Sequence, residues 1–242
     1  MSFVVNAFMS IADNLAGVRE RIEIAARRAG RRSEDVVLMA VSKTFPVESI
    51  REACSAGLRV FGENRVQEFA GKIDPLRDLR DAEWHLIGHL QTNKAAKAAE
   101  LFAAVDSVDS LRLAQKLNAS AGQLGKKLAV LIEINVGGES AKSGVAPDSD
   151  DLKEMLLAAP ELLHLEFRGL MTVPPFTDDP QEARPYFRTL RELRDQISAR
   201  RLPDIDLSVL SMGMSHDFEI AIEEGSTCVR VGTAIFGERP TA

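Results

Sequence analysis

Two kinds of apolar run alternate along this chain. Short blocks rich in branched and apolar residues recur, and each is followed by a longer stretch with apolar positions three and four apart. The chain begins with the second kind. Ile11, Leu15, Val18, Ile22 and Ala25 predict a helix from about residue 7 to Gly30. The first short block, Val36 to Val41 with Ser42 and Lys43 at its exit, predicts a buried strand that Thr44, Phe45 and Pro46 stop. Further strands are predicted at 58–61, 84–88, 103–108, 128–136, 167–173, 207–212 and 227–232. Helices are predicted at 46–56, 62–79, 92–101, 110–124, 148–159, 182–200 and 215–225, with a short turn through Phe236 at the end. Pro46 at the start of one helix and Gly57 just past its end are the usual punctuation.

The pattern gives eight strands, each followed by helical sequence. Strands this apolar are buried on both faces. Strict alternation of strand and helix leaves a closed barrel or a doubly wound open sheet. Eight units in roughly 200 residues match the (β/α)8 barrel. The first strand is not followed by G-x-G-x-x-G, which weighs against the dinucleotide-binding open sheet. The expected fold class is therefore α/β, a single (β/α)8 TIM barrel over residues 1–242 with an extra N-terminal helix.

Composition narrows the surroundings. A hydrophobic fraction of 45% with 27% charged residues is that of an ordinary globular protein. The net charge is -6 with no long basic run, and the short basic cluster Arg27 to Arg32 lies at a predicted helix end, so no nucleic-acid partner is expected. No stretch reaches transmembrane length, and the N-terminus lacks a basic n-region. Cys54 and Cys228 match no zinc spacing and suit a reducing compartment. The expectation is a cytoplasmic monomer with no membrane partner.

In such a barrel, functional groups gather where the strands end. Those ends carry Lys43, Glu63 and Asn64, His89, Asp106, Asn135, Met171 and Thr172, Ser211 to Ser215, and Arg230, Gly232 and Thr233. Lys43 shares a strand face with Val37, Met39 and Val41; it either snorkels to water or is put to use. Arg230 stands inside the last strand and must be paired, with Glu133, with Asp106 or with a ligand. The loops after strands seven and eight contain Ser211, Gly213 and Ser215, then Gly232 and Thr233. Small residues there suit a phosphate seat. The other reading is turn chemistry, with Ser215 as an N-cap, and Asp217 favours it because a carboxylate would repel phosphate. A lysine and an arginine on neighbouring strands, beside a phosphate seat, suit one ligand: a phosphorylated aldehyde with a ring nitrogen, which describes pyridoxal phosphate. His85 reads as structural. The 137–144 loop is no P-loop, and there is neither G-x-S-x-G nor H-E-x-x-H.

The blocks "AVSKTFP", "FGENRVQE", "WHLIGHLQTNK", "INVGGESAKSGV", "GLMTVPP" and "LSMGMSHDFEIAIEEGSTCVRVGTAIFG" resemble, in order, those of the pyridoxal phosphate homeostasis protein family. That family is related to the barrel domain of alanine racemase. The resemblance implies pyridoxal 5'-phosphate held on Lys43 as an internal aldimine, with Arg230 facing the pyridine nitrogen. It implies phosphate contacts from Ser211, Gly213, Ser215, Gly232 and Thr233, and places Asn64 near the ring. It also implies a role in vitamin B6 homeostasis with effects on amino-acid pools, and pyridoxal-phosphate-dependent apoenzymes as recipients. An arginine at the ring nitrogen leaves that nitrogen unprotonated and the ring a weak electron sink. The sequence ends at Ala242 after the eighth unit, and Tyr186, the only tyrosine, is predicted away from the rim. A cofactor carrier is the expectation. The alternatives are a pyridoxal-phosphate-dependent racemase lacking the usual C-terminal domain and a Schiff-base aldolase whose phosphate belongs to the substrate.

Overall fold

Ser10 opens the first helix with a capping box. Its hydroxyl accepts from Asp13 N at 3.1 Å, and the Asp13 carboxylate accepts from Ser10 N at 3.3 Å. The computed structural model describes residues 10–138 and 143–238. The predicted helix start near residue 7 and the centre of the 137–144 loop lie outside them. Helix α1 spans Ile11–Arg28 and buries Ile11, Leu15, Val18, Ile22 and Ala25, the face that the periodicity marks.

The strands and helices then alternate: β1 (Val37–Val41), α2 (Val47–Ser55), β2 (Val60–Glu63), α3 (Val66–Lys72), β3 (Glu83–Leu86), α4 (Ala95–Leu101), β4 (Ala104–Val108) and α5 (Leu111–Gln123). The second half continues with β5 (Leu128–Glu133), α6 (Asp150–Ala158), β6 (Leu165–Met171), α7 (Arg184–Ala199), β7 (Ile205–Met214), α8 (Phe218–Glu223), β8 (Cys228–Val231) and α9 (Thr233–Phe236). The eight strands are parallel and close into a barrel in sequence order, so the expected (β/α)8 architecture is present. Strand β1 meets β8 with Val37 opposite Cys228 and Met39 opposite Arg230.

Two sets of side chains leave the strands. The outward set, including Ala40, Phe61, Leu86, Val105, Val130 and Ile132, packs beneath the helices and is buried. Trp84 carries this layer between β2 and β4. Its ring lies 5.0 Å from Phe61 and 4.9 Å from Phe69, which lies 4.9 Å from Phe102. The inward set converges on the barrel axis: a Cβ on Gly62 would come within 2.9 Å of Met39 Sδ and 3.0 Å of Ile87 Cδ1.

Two boundaries that bear on the site differ from the sequence reading. The helix expected at 62–79 is limited to Val66–Lys72, because Asp74-Pro75-Leu76 forms a 3-10 turn where proline cannot continue an α-helix. Strand β7 extends to Met214, so Ser215 begins no helix; Asp217 stands at the start of α8. Helix α9 has four residues, too few to cover β8 and β1. Helix α1 supplies that cover, packing against α8, α9 and α2, and Asn14 Nδ2 donates to Ile235 O at 3.0 Å. Between α7 and α8, buried Glu224 accepts from Arg184 at 3.0 Å, Arg188 at 3.2 Å and Arg191 at 2.9 Å. Burial opposes its charge, but the three guanidiniums outweigh it and lower its pKa. Among the described residues, no helix is long and apolar enough to cross a membrane.

Candidate functional site

A cavity of about 480 Å³ opens at the C-terminal ends of the strands. Lys43, Asn64, Ser215, Arg230, Gly232 and Thr233 line it, bringing together most of the residues singled out from the sequence. Apolar side chains complete the wall: Val41, Phe45 and Ile87 on one part, Val173, Phe176 and Met214 on another, with His216 beside them.

Lys43 stands just beyond β1 on a fixed base. The preceding Ser42 is fully buried. Its N–H donates to Gly62 O at 3.0 Å, and its hydroxyl donates to Glu63 Oε1 at 2.7 Å. Lys72 Nζ donates to Ser42 O at 3.2 Å and lies 3.4 Å from both Glu63 oxygens. Burial raises the Glu63 pKa, with Lys72 and Ser42 opposing. On the other side of Lys43, Thr44 adopts φ 67°. A β-branched residue rarely enters this left-handed region, and such strain is held only where flanking structure fixes it. Here Phe45 supplies that restraint: it is buried, and its ring stacks on Phe236 at 4.7 Å.

Arg230 is 3% exposed. Its Nη1 donates to Ser211 O and Ser211 Oγ, both at 2.7 Å, and its Nη2 donates to Thr172 O at 2.7 Å. The ion pair considered for it does not form: among the described residues no carboxylate lies within 4.0 Å of the guanidinium. Asp106 is taken by His85, whose Nδ1 donates to its two oxygens at 3.1 and 3.2 Å. Burial lowers the Arg230 pKa, while Cys228, Asp106, Glu133 and Asp217 oppose from farther away. Burial also pushes the Cys228 thiol up to about 12, so it is unreactive. For His85, burial disfavours the charged ring but Asp106 outweighs it and raises the pKa, consistent with a structural histidine.

The residues expected from the sequence to seat a phosphate divide into two groups. Ser215, Gly232 and Thr233 reach the cavity. Ser215 is not an N-cap; its Oγ accepts from Gly232 N at 3.2 Å and Ala234 N at 3.4 Å, joining the loops after β7 and β8. Ser211 and Gly213 do not line the wall. Ser211 lies beneath Arg230, and Gly213, at φ 94°, lets the loop fold against α8, where a Cβ would meet Ala221 Cβ at 2.5 Å. Asp217 accepts from Met214 N at 2.6 Å within its own loop and does not line the cavity. Burial raises its pKa, with the Met214 N–H opposing.

Two rim residues need correction or addition. His89 does not line the cavity. Strand β3 ends at Leu86, and His89 Nδ1 instead donates to Asp109 Oδ2 at 3.0 Å at a separate surface hollow. Gly88 was not singled out, yet a Cβ there would collide with Asn64 O, so this glycine allows Asn64 its place. The sequence does not point to Phe45, Ile87, Val173 and Phe176, because apolar residues just past strand ends carry no periodic signal, nor to His216, whose place depends on the β7 loop. Glu133, 8% exposed, is a further unusual group. Its Oε2 is buried with no hydrogen-bond partner. Burial and then Asp109 raise its pKa to about 7, against Arg230 and His89.

The donor set suits an organic ligand. Lys43 offers an amine, Arg230 a fixed hydrogen-bond donor, and the Ser215, Gly232 and Thr233 loops hydroxyl and backbone donors. Met39, four residues before Lys43, sits directly opposite Arg230, so the two cations rise from adjacent strands. Among the described residues, no group of three or more His, Cys, Asp or Glu side chains could hold a metal ion.

Comparison with known proteins follows the same lines. The profile of the family described as "Alanine racemase, N-terminal domain" matches residues 14–240. The pyridoxal phosphate homeostasis protein of Aquifex aeolicus is 49% identical, covering 96% of this chain and 99% of its own length. That of Pseudomonas aeruginosa is 46% identical, covering 95% and 96%. PipY of Synechococcus elongatus, solved with PLP bound, superposes with a TM-score of 0.82 at 39% identity, covering 94% of this chain and 100% of PipY. Alanine racemase of Clostridium difficile shares the fold, with a TM-score of 0.69 at 17% identity over 95% of this chain and 58% of the racemase. From the ordered sequence blocks, the closed barrel and these relatives, the chain belongs to the pyridoxal phosphate homeostasis proteins, within the alanine racemase N-terminal domain family.

Proposed function

We propose that this cavity binds pyridoxal 5'-phosphate and that the protein serves vitamin B6 homeostasis, holding the cofactor on Lys43 as an internal aldimine. The observation that carries this reading is one cavity walled by Lys43, by the buried Arg230 and by the joined loops of Ser215, Gly232 and Thr233. Three chemically different ends of one molecule are matched. The Lys43 amine condenses with the aldehyde, releasing water. The Arg230 guanidinium, a donor only, faces the ring nitrogen and leaves it unprotonated. Ser215 and Thr233 hydroxyls, with the loop N–H groups, receive the phosphate. Asn64 lies at the ring edge, while Ser211 holds Arg230 and Gly213 holds the loop. PipY, with PLP bound, supports the same ligand here. The protein acts as a cytoplasmic monomer that passes the cofactor to apoenzymes and so affects amino-acid pools.

The test is borohydride reduction after incubation with pyridoxal phosphate, followed by peptide mapping. A phosphopyridoxyl group is expected on Lys43, with a visible absorbance band that Lys43→Ala abolishes. Wild-type protein without that band would refute the proposal. One observation favours a second reading, a racemase: His216 places an ionisable ring on the cavity wall. Stereochemical scrambling of an amino acid by the pure protein, lost in both Lys43→Ala and His216→Ala, would establish it.

A further inference from the structure

The cavity has one fixed side and one lightly held side. On the fixed side, Phe45 is buried and stacked on Phe236. On the other, Val173 is 40% exposed and Phe176 is 77% exposed, yet both line the cavity. They belong to the loop after β6. Large apolar rings left in water at a cavity mouth are not there for core packing.

Among the described residues, one residue from the next loop holds this side. His216, after β7, is exposed, and its ring lies 5.5 Å from the Phe176 ring at 30°. Its Nε2 lies 3.1 Å from Thr177 O. A carbonyl oxygen can only accept, so Nε2 carries the hydrogen. The loop is stiff on both sides of this contact. Pro174 and Pro175 fix φ at its start. Beyond it, Thr177 Oγ1 donates to Asp179 O at 2.9 Å, and Asp179 Oδ1 accepts from Gln181 N at 2.9 Å. The loop is thus internally braced and joined to the β7 loop by one ring contact and one hydrogen bond.

We infer that Phe176 and His216 form an aromatic clasp across the cavity mouth that sets how fast the ligand enters and leaves, with little effect on how tightly it is held once inside. This rests on the proposed pyridoxal phosphate site. Lys43, Arg230 and the two glycine-containing loops determine retention; the clasp determines access. Freeing the contact lowers the barrier in both directions. A rise of about tenfold in both rates is expected, since the net contribution of one hydrogen bond is about the 1.4 kcal/mol that a factor of ten represents.

The experiment uses the full chain and pyridoxal phosphate. Uptake is followed by rapid mixing, through growth of the visible band. Release is followed by mixing the loaded protein with an excess of the apo form of a pyridoxal-phosphate enzyme as scavenger. Phe176→Ala and His216→Ala should each speed uptake and release about tenfold, leaving Kd within about twofold. His216→Phe keeps a ring but loses the bond to Thr177 O, so its rates should lie between those of wild type and His216→Ala. Faster release with unchanged uptake would overturn the inference, because the rings would then be ordinary ligand contacts. Unchanged rates in all three variants would also overturn it. A wild-type protein with no band would instead refute the pyridoxal phosphate reading, and the clasp with it.

Discussion

Replacing Glu133 with glutamine gives a measurable consequence of burying a carboxyl without a partner. The side chain is 8% exposed, and its Oε2 accepts no hydrogen bond. Burial and Asp109 raise its pKa from 4.5 to about 7. Between those values the folded protein binds a proton that the unfolded chain releases. Stability therefore falls as pH rises through this window, and the whole loss is present above about pH 7. Each pH unit in the window is worth about 1.4 kcal/mol, so the loss approaches about 3 kcal/mol. Glutamine has nearly the same shape and does not ionise, so the variant lacks this component. Urea unfolding of both proteins at pH 5 and pH 8.5 isolates it, since groups titrating in both cancel in the difference. Part of the loss is already present at pH 5, so at pH 8.5 the variant should gain about 2.5 kcal/mol relative to wild type compared with pH 5, or roughly 5–10 °C in Tm for a chain of this size. Parallel pH profiles would refute the reasoning and mean that Glu133 stays ionised with a partner that satisfies it.

Three further outcomes follow from packing. Arg230→Ala strips the partner from Ser211 and Thr172 O; it should cost about 1–3 kcal/mol and weaken cofactor retention or shift the visible band, as read by unfolding and by absorbance. Unchanged retention and spectrum would reduce Arg230 to a structural residue. Gly88→Ala pushes a methyl group toward Asn64 O; a loss of about 1–3 kcal/mol with weaker cofactor retention is expected, checked by thermal melting and equilibrium dialysis. Glu224→Gln removes the charge shared by Arg184, Arg188 and Arg191 and turns one acceptor oxygen into a donor facing them; a loss of about 1–3 kcal/mol is expected in urea, tempered by the solvent that reaches the arginines.

The barrel was legible because its strands are buried on both faces and so appear as apolar blocks. Lys43 and Arg230 were legible for the converse reason, as charges in or beside such blocks. The loops were less so. Serine and glycine signal a tight turn and a ligand contact in the same way, so nothing in the sequence separated Ser211 and Gly213, which support the site, from Ser215 and Gly232, which face it. His89 was misplaced because β3 ends at Leu86, after which alternation no longer dictates direction. Phe176 and His216 were beyond reach, since their meeting depends on two loops adjacent only after the barrel closes. The short final turn is legible in the sequence, but not that α1 takes over the cover a full helix would give.

That substitution has a consequence for how the chain is made. The Asn14 to Ile235 hydrogen bond links residues 221 positions apart. At the usual 5–20 residues per second of synthesis, the apolar face of α1 waits roughly 10–45 seconds for α8 and α9 to emerge. Ile11, Leu15, Val18 and Ile22 are made well before the α8 and α9 residues that cover them. During synthesis this stripe therefore stays partly uncovered until the residues of α8 and α9 have been made.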